Sequence, residues 1–280
     1  MANVGRLRYL DVPASFDTAR DAPSLSRGAG QSRPAGTLVL IHGFPLNPIM
    51  WDPQLPLAER GWRIIVPELR GFGAGAGDPP AASIDDYAAD IIDLLDALHV
   101  EAAVIAGLSM GGYIAFSMFR HAPRYFRAMI LADTKSTGDS PEAVAGRKSM
   151  QQLARDKGQA AVAETLLPKL VGDTTRRIRP DVIEDLRRQI TRNSVESIVG
   201  ALDALMTRPD STPLLATIQC PVQILVGDED AITPPALSEQ MHRDIAGSEL
   251  AVIQGAGHMS NMEQPQLFND VLARFLDHRV

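Results

Sequence analysis

Short aliphatic runs alternate with stretches of helical period along most of the chain. Residues 7–12, 37–41, 63–66, 103–106, 128–131, 222–226 and 249–253 are β-branched or aliphatic runs bounded by turn formers, the pattern expected of strands in a largely buried sheet. Residues 7–12 are the expected edge strand. Ser83, with Asp86 three positions on, opens a helix over 85–98 whose apolar face is Ile84, Tyr87, Ala88, Ile91, Leu94, Leu95 and Leu98, because a side-chain oxygen at the cap satisfies an otherwise orphaned N–H. A second helix over 112–121 carries Ile114, Ala115, Met118 and Phe119 on one stripe, and Pro123 closes it. Strand and helix in alternation predict an α/β fold with a mostly parallel sheet covered on both sides.

The rhythm breaks twice. Residues 14–36, rich in Ser, Gly, Ala, Arg and Pro, are expected to form a long mobile loop. Between 135 and 213, helical segments around 142–156, 160–167, 180–192 and 195–206 follow one another without a strand. The predicted organisation is therefore an α/β core of 1–134 and 214–280 with a helical cap, 135–213, over the carboxyl end of the sheet, where open α/β sheets place ligands. Arg176, Arg177, Arg179, Arg187, Arg188 and Arg192 lie in this cap beside numerous carboxylates, and a solvated charged face is expected of them. An anion-reading arginine among them is the sharper alternative.

Bulk properties narrow the function. A net charge of −7 and a pI near 5.4 argue against nucleic acid or an anionic membrane as a partner. The first residues lack the apolar core of a signal peptide, and no stretch approaches the roughly 20 apolar residues of a membrane span, so a cytoplasmic location is expected. The lone cysteine, Cys220, permits no intrachain disulfide. It precedes Pro221 and a strand and reads as a packed hydrophobe rather than a reactive thiol. There is no metal-ligand spacing and no cofactor lysine. The glycines of 71–77 follow a strand but precede no close helix, which disfavours a phosphate cradle. Neither a metal nor a cofactor is expected.

The chemistry centres on Gly107-Leu108-Ser109-Met110-Gly111, a G-x-S-x-G sequence between a buried strand and an apolar helix. Such a strand-to-helix elbow pushes its central serine out of the scaffold, and glycine two positions to either side allows the chain to pass close by. A serine hydroxyl needs a neighbouring base, and that base an orienting partner. Both are found downstream: Gly227-Asp228-Glu229-Asp230 follows the strand at 222–226, and Gly255-Ala256-Gly257-His258 follows that at 249–253. Placement alone does not choose between Asp228 and Asp230.

On His42-Gly43-Phe44, Arg70-Gly71-Phe72-Gly73, Gly107 to Gly111, Gly227 to Asp230 and Gly257-His258, in this order, the chain is identified as a member of the α/β-hydrolase superfamily. The resemblance covers most of the chain. It implies an α/β-hydrolase fold: a mostly parallel eight-stranded sheet, helices on both faces and an inserted helical cap. It implies Ser109 as nucleophile, His258 as general base and acid, and Asp230 as the carboxylate orienting His258. It also implies an oxyanion hole made by the backbone N–H groups of Phe44 and Met110. His42 is expected to support its loop, Asp133 to cap a loop rather than supply the acid, and Arg70 to pair with carboxylates. Trp51 lines the acyl pocket or belongs to the core. Glu68 stands where relatives often carry aspartate.

Serine at the nucleophile position disfavours the related dehalogenases and epoxide hydrolases, which resemble this chain but attack through aspartate. The expected activity is hydrolysis of small to medium carboxylic esters through an acyl-enzyme. Enol-lactonases, cofactor-free perhydrolases (through the Ser-Met-Gly-Gly at 109–112) and hydroxynitrile lyases also resemble it. A small-molecule ester or lactone is the expected partner, and a non-catalytic ligand-binding protein is the alternative class.

Overall fold

The structure, a computed structural model, describes residues 1–4, 7–15, 35–75 and 78–280. Eight strands form one sheet: β1 (Ala2–Val4), β2 (Leu7–Val12), β3 (Gly36–Ile41), β4 (Trp62–Glu68), β5 (Ala103–Leu108), β6 (Phe126–Ala132), β7 (Val222–Gly227) and β8 (Glu249–Ile253). Their order is β1-β2-β4-β3-β5-β6-β7-β8. β2 pairs antiparallel with both β1 and β4, and the neighbours from β4 to β8 are parallel. Every residue of β5 and β7 is buried. Because successive side chains point to opposite faces, unbroken burial means that both faces of the central sheet are covered.

The expected strands are present, with differences at the sheet edge and at several strand ends. β2 is not the edge, because β1 pairs with it from outside. Three residues are too few to display a period, which is why β1 leaves no mark in the hydrophobic pattern. β4 and β5 also run two residues further than their aliphatic cores, into Pro67-Glu68 and Gly107-Leu108, since ladder hydrogen bonding continues where hydrophobicity fades. Of the expected loop 14–36, residues 16–34 lie outside the described residues, and Gly36 is already the first residue of β3.

Helix α1 (Ile84–Ala97) is capped as expected, the Ser83 hydroxyl accepting the Asp86 N–H at 3.1 Å. It packs on α2 (Met110–His121), which leaves the end of β5. Between β6 and β7 lie α3 (Pro141–Leu170), α4 (Asp173–Ile178), α5 (Pro180–Thr191), α6 (Val195–Met206) and the single turn α7 (Thr212–Leu215). α3 is broken at Gly158, with φ 76°, a left-handed conformation that glycine adopts without steric cost. α4 was not expected, as six residues around an Arg pair carry no apolar stripe. α8 (Pro235–Asp244), the turn α9 (Ser260–Glu263) and α10 (Pro265–Arg279) complete the chain. Among the described residues no helix is long and apolar enough to cross a membrane.

Candidate active site

The elbow is built by close backbone approach. Gly111 abuts the end of β3: a β-carbon there would lie 2.2 Å from the Ile41 carbonyl oxygen. Ser109 is consequently held at φ 52°, ψ −113°, a conformation that non-glycine residues avoid and that surrounding structure must over-determine. It is pinned on both sides, its N–H donating to the Ala132 carbonyl at 3.0 Å and its own carbonyl accepting the Thr134 hydroxyl at 2.8 Å.

Three side chains distant in sequence then meet. The Ser109 hydroxyl lies 2.8 Å from His258 Nε2, and His258 Nδ1 lies 2.8 Å from Asp230 Oδ2. Asp230 Oδ1 accepts the Ile232 and Thr233 N–H groups at 2.8 and 2.9 Å, and Oδ2 accepts the Thr233 hydroxyl at 2.7 Å. Burial alone would raise this carboxyl. The charge and hydrogen bond of His258 together with the Thr233 donors outweigh it and hold the group below its usual range. Asp230 is thus suited to stay ionised and to fix His258 with its proton on Nδ1, leaving Nε2 free to accept the serine proton.

The two other carboxylates considered make different contacts. Asp228 turns to the other loop, where its Oδ1 accepts the Gly255 and Ala256 N–H groups at 2.7 and 3.3 Å. Asp133 is buried, accepts the Gly227 N–H at 2.9 Å and receives the Ser260 hydroxyl. Burial, followed by the nearby Asp230 charge, pushes Asp133 well above the usual carboxylate range, which fits a loop cap better than an orienting anion.

Phe44 and Met110 both border the cavity that holds Ser109. Met110 is the first residue of α2, so its N–H has no partner within the helix and sits at the positive end of the helix dipole. The Phe44 loop is held by His42, whose Nε2 accepts the Leu69 N–H at 3.1 Å while Nδ1 faces the Gly43 carbonyl at 3.1 Å. Desolvation lowers His42 to about 4, so the ring is neutral at physiological pH and acts as a backbone bridge, as expected. Arg70 pairs with Asp90 on α1 at 2.5 Å. Cys220 is half-buried, and burial pushes its thiol up to about 11.

The cavity measures about 390 Å³. From the sheet side it is bordered by Phe44, Met110 and Tyr113, and from the helices between β6 and β7 by Met150, Leu166, Leu202 and Leu205. Trp51, considered for this wall, is not part of it. Its side chain is wholly buried against Phe268 of α10, with ring centroids 6.2 Å apart.

The six arginines singled out in the helical region do not border the cavity either. Arg176, Arg179, Arg187 and Arg188 pair with the exposed carboxylates of Asp173, Asp181, Glu164 and Asp185. The cations that do line it are Arg147 and Lys169 of α3. Arg147 binds Asp139, which also takes Arg208 at 2.8 Å and lies 3.9 Å from Lys135 Nζ, so three cations surround one carboxylate. Lys169 has no carboxylate partner among the described residues. Neither cation stands out in the sequence, since charged residues recur throughout the helical region and only folding decides which ones face inward.

The family model for the alpha/beta hydrolase fold matches residues 36–265. The chain belongs to that family. It is 31% identical over 258 residues to 3-oxoadipate enol-lactonase 2 of Acinetobacter baylyi, covering 90% of this chain and 92% of that protein. The structure of a thermophilic esterase from Thermogutta terrifontis, with malate bound, superposes with a TM-score of 0.86 at 35% identity, over 97% of this chain and 93% of that one. An enol-lactonase from Burkholderia xenovorans LB400 shares the fold with a TM-score of 0.82 at 23% identity, over 97% and 96% of the two chains.

Proposed function

We propose that the protein is a serine hydrolase that cleaves small to medium carboxylic esters through an acyl-enzyme, with the helical region 135–213 as a cap over the site. The observation that carries this reading is the Ser109–His258–Asp230 chain, with both links at 2.8 Å, opening into a largely apolar cavity. Ser109 Oγ attacks the ester carbonyl as its proton passes to His258 Nε2. The tetrahedral oxyanion is received by the Phe44 and Met110 N–H groups, each contributing about 3 kcal/mol to transition-state stabilisation. The imidazolium, stabilised by Asp230, protonates the departing alcohol. A water deprotonated by His258 then attacks the acyl carbonyl, and the acid leaves as the proton returns to Ser109.

A second reading, lactone hydrolysis on the same three residues, is favoured by Arg147 and Lys169. A cavity with cations in an apolar wall suits a substrate carrying a carboxylate at a distance from the scissile bond. The 31% identity to an enol-lactonase supports the same direction.

The test is a panel of p-nitrophenyl esters of increasing acyl length and of lactones with and without a free carboxylate, run beside fluorophosphonate labelling. Ester turnover that vanishes with Ser109 labelling is expected. Undiminished turnover by Ser109→Ala would sink the mechanism, and preference for carboxylate-bearing lactones would select the second reading.

A further inference from the structure

Glu263 lies five residues beyond His258, at the end of the turn α9, and only 1% of it is exposed. It forms no ion pair with a cation among the described residues. Its oxygens are engaged by backbone. Oε1 accepts the Gly257 N–H at 2.9 Å and the Met259 N–H at 3.0 Å, the two residues flanking His258. Oε2 accepts the N–H of Gly172, in the link between α3 and α4, at 2.8 Å.

These segments touch through their backbones. A β-carbon on Gly257 would lie 2.3 Å from the Gly172 nitrogen, so no side chain fits between the His258 turn and the helical region. The Met259 N–H also reaches the Leu170 carbonyl at 3.1 Å. The acid loop is tied to the same link. Glu229, beside Asp230, accepts the Thr174 N–H at 2.8 Å and the Thr174 hydroxyl at 2.5 Å. Five residues of the helical region, 170–174, therefore hold both the loop that bears Asp230 and the loop that bears His258.

We infer that Glu263 is a positioning residue: its carboxylate grips the backbone on both sides of His258 and locks that turn to Gly172, setting the imidazole within reach of Ser109 and Asp230. This rests on the reading of those three residues as the reacting set. A buried carboxylate is costly unless its hydrogen bonds are made, and charge-assisted bonds to N–H groups are short and directional. The backbone of residues 257–259 has little freedom left while all three are in place, so the ring inherits that order. The helical region is by the same contacts anchored to the loops of Asp230 and His258 at 170–174.

Substitution separates the two grips. In Glu263→Gln the amide oxygen can still take the Gly257 and Met259 N–H groups, while its NH₂ meets the Gly172 N–H donor to donor. In Glu263→Ala both are lost. Turnover of p-nitrophenyl acetate is measured per active site titrated with a fluorophosphonate, so that unfolded molecules do not count. Glu263→Ala is expected to lower kcat by about 10²-fold with KM changed by less than about threefold, as suits misplacement of a catalytic group by about an ångström. Glu263→Gln is expected to restore most of kcat. Where the alanine variant does not fold, Glu263→Asp replaces it, with kcat between the two.

An unchanged kcat per site in Glu263→Ala, or a Glu263→Gln variant as impaired as the alanine one, overturns the inference. The downfield NMR signal of the His258 Nδ1 proton gives a readout independent of turnover. It is expected to broaden or vanish in Glu263→Ala and persist in Glu263→Gln. Should the wild-type protein neither label nor turn over ester, the hydrolase reading fails, and persistence of that signal in Glu263→Ala then counts against Glu263 separately.

Discussion

Gly107 and Gly111 pack backbone against backbone, so closely that a β-carbon on Gly107 would lie 2.2 Å from the Gly111 carbonyl carbon and oxygen. The obstructing atoms are main chain and cannot swing aside. Gly107→Ala should therefore destabilise the fold by about 3 kcal/mol, at the upper end for overpacking, and displace the serine. Urea denaturation and the fluorophosphonate labelling rate together check this. An alanine variant of wild-type stability would show that the elbow is looser than its geometry.

The strain at Ser109 separates function from stability. Its φ of 52° suits glycine, so Ser109→Gly should stabilise the protein by about 1 kcal/mol while abolishing turnover by about 10⁶-fold. Thermal denaturation and the residual esterase rate are the two measurements. A loss of stability in this variant would mean that the serine is not strained in solution.

Asp230 and Asp228 sit two residues apart with different contacts, one at His258 and the other at the Gly255 and Ala256 N–H groups. Asp230→Asn presents an amide N–H to His258 Nδ1, favouring the tautomer with its proton on Nε2, which cannot accept from Ser109. The expected loss in kcat is about 10⁴-fold with little change in KM. Asp228→Asn weakens only the bonds to Gly255 and Ala256 and should cost less than about tenfold in kcat. Equal losses from the two substitutions would refute the assignment.

His42 makes stability depend on pH. Its folded value of about 4 lies below the ordinary 6.5 because burial disfavours the cation. Between those values the unfolded chain binds a proton that the folded one does not, so this contribution is intact above pH 6.5 and is lost as pH falls toward 4. The full loss is on the order of 3 kcal/mol. Urea midpoints at pH 7 and pH 4.5 should differ less in His42→Gln than in the wild type.

Trp51 tests the boundary of the pocket. Its indole Nε1 is buried without a hydrogen-bond partner among the described residues, and its ring packs on Phe268 outside the cavity lining. Trp51→Phe should leave KM for short esters within about twofold of wild type, and stability within about 1.5 kcal/mol, because lost packing is offset by removal of an unpaired donor. A large KM change would return Trp51 to the pocket wall.

How far the chain could be read follows the range of the interactions. Strands β2 to β8, the Ser83 cap and the strand–Ser109–helix elbow depend on neighbours within a few residues, through side-chain period, capping and backbone sterics, and they are visible in the order of residues. β1 is too short to show a period, and its presence depends on pairing with β2. The contact of Asp230 rather than Asp228 with His258, the packing of Trp51 on Phe268, and the presence of Arg147 and Lys169 at the cavity in place of the six arginines between 176 and 192 depend on which surfaces meet after the sheet has formed. Glu263 is the extreme case. As a letter it is one acid among many, and its backbone donor Gly172 lies 91 positions before it, a separation that only the packed fold closes to hydrogen-bonding distance.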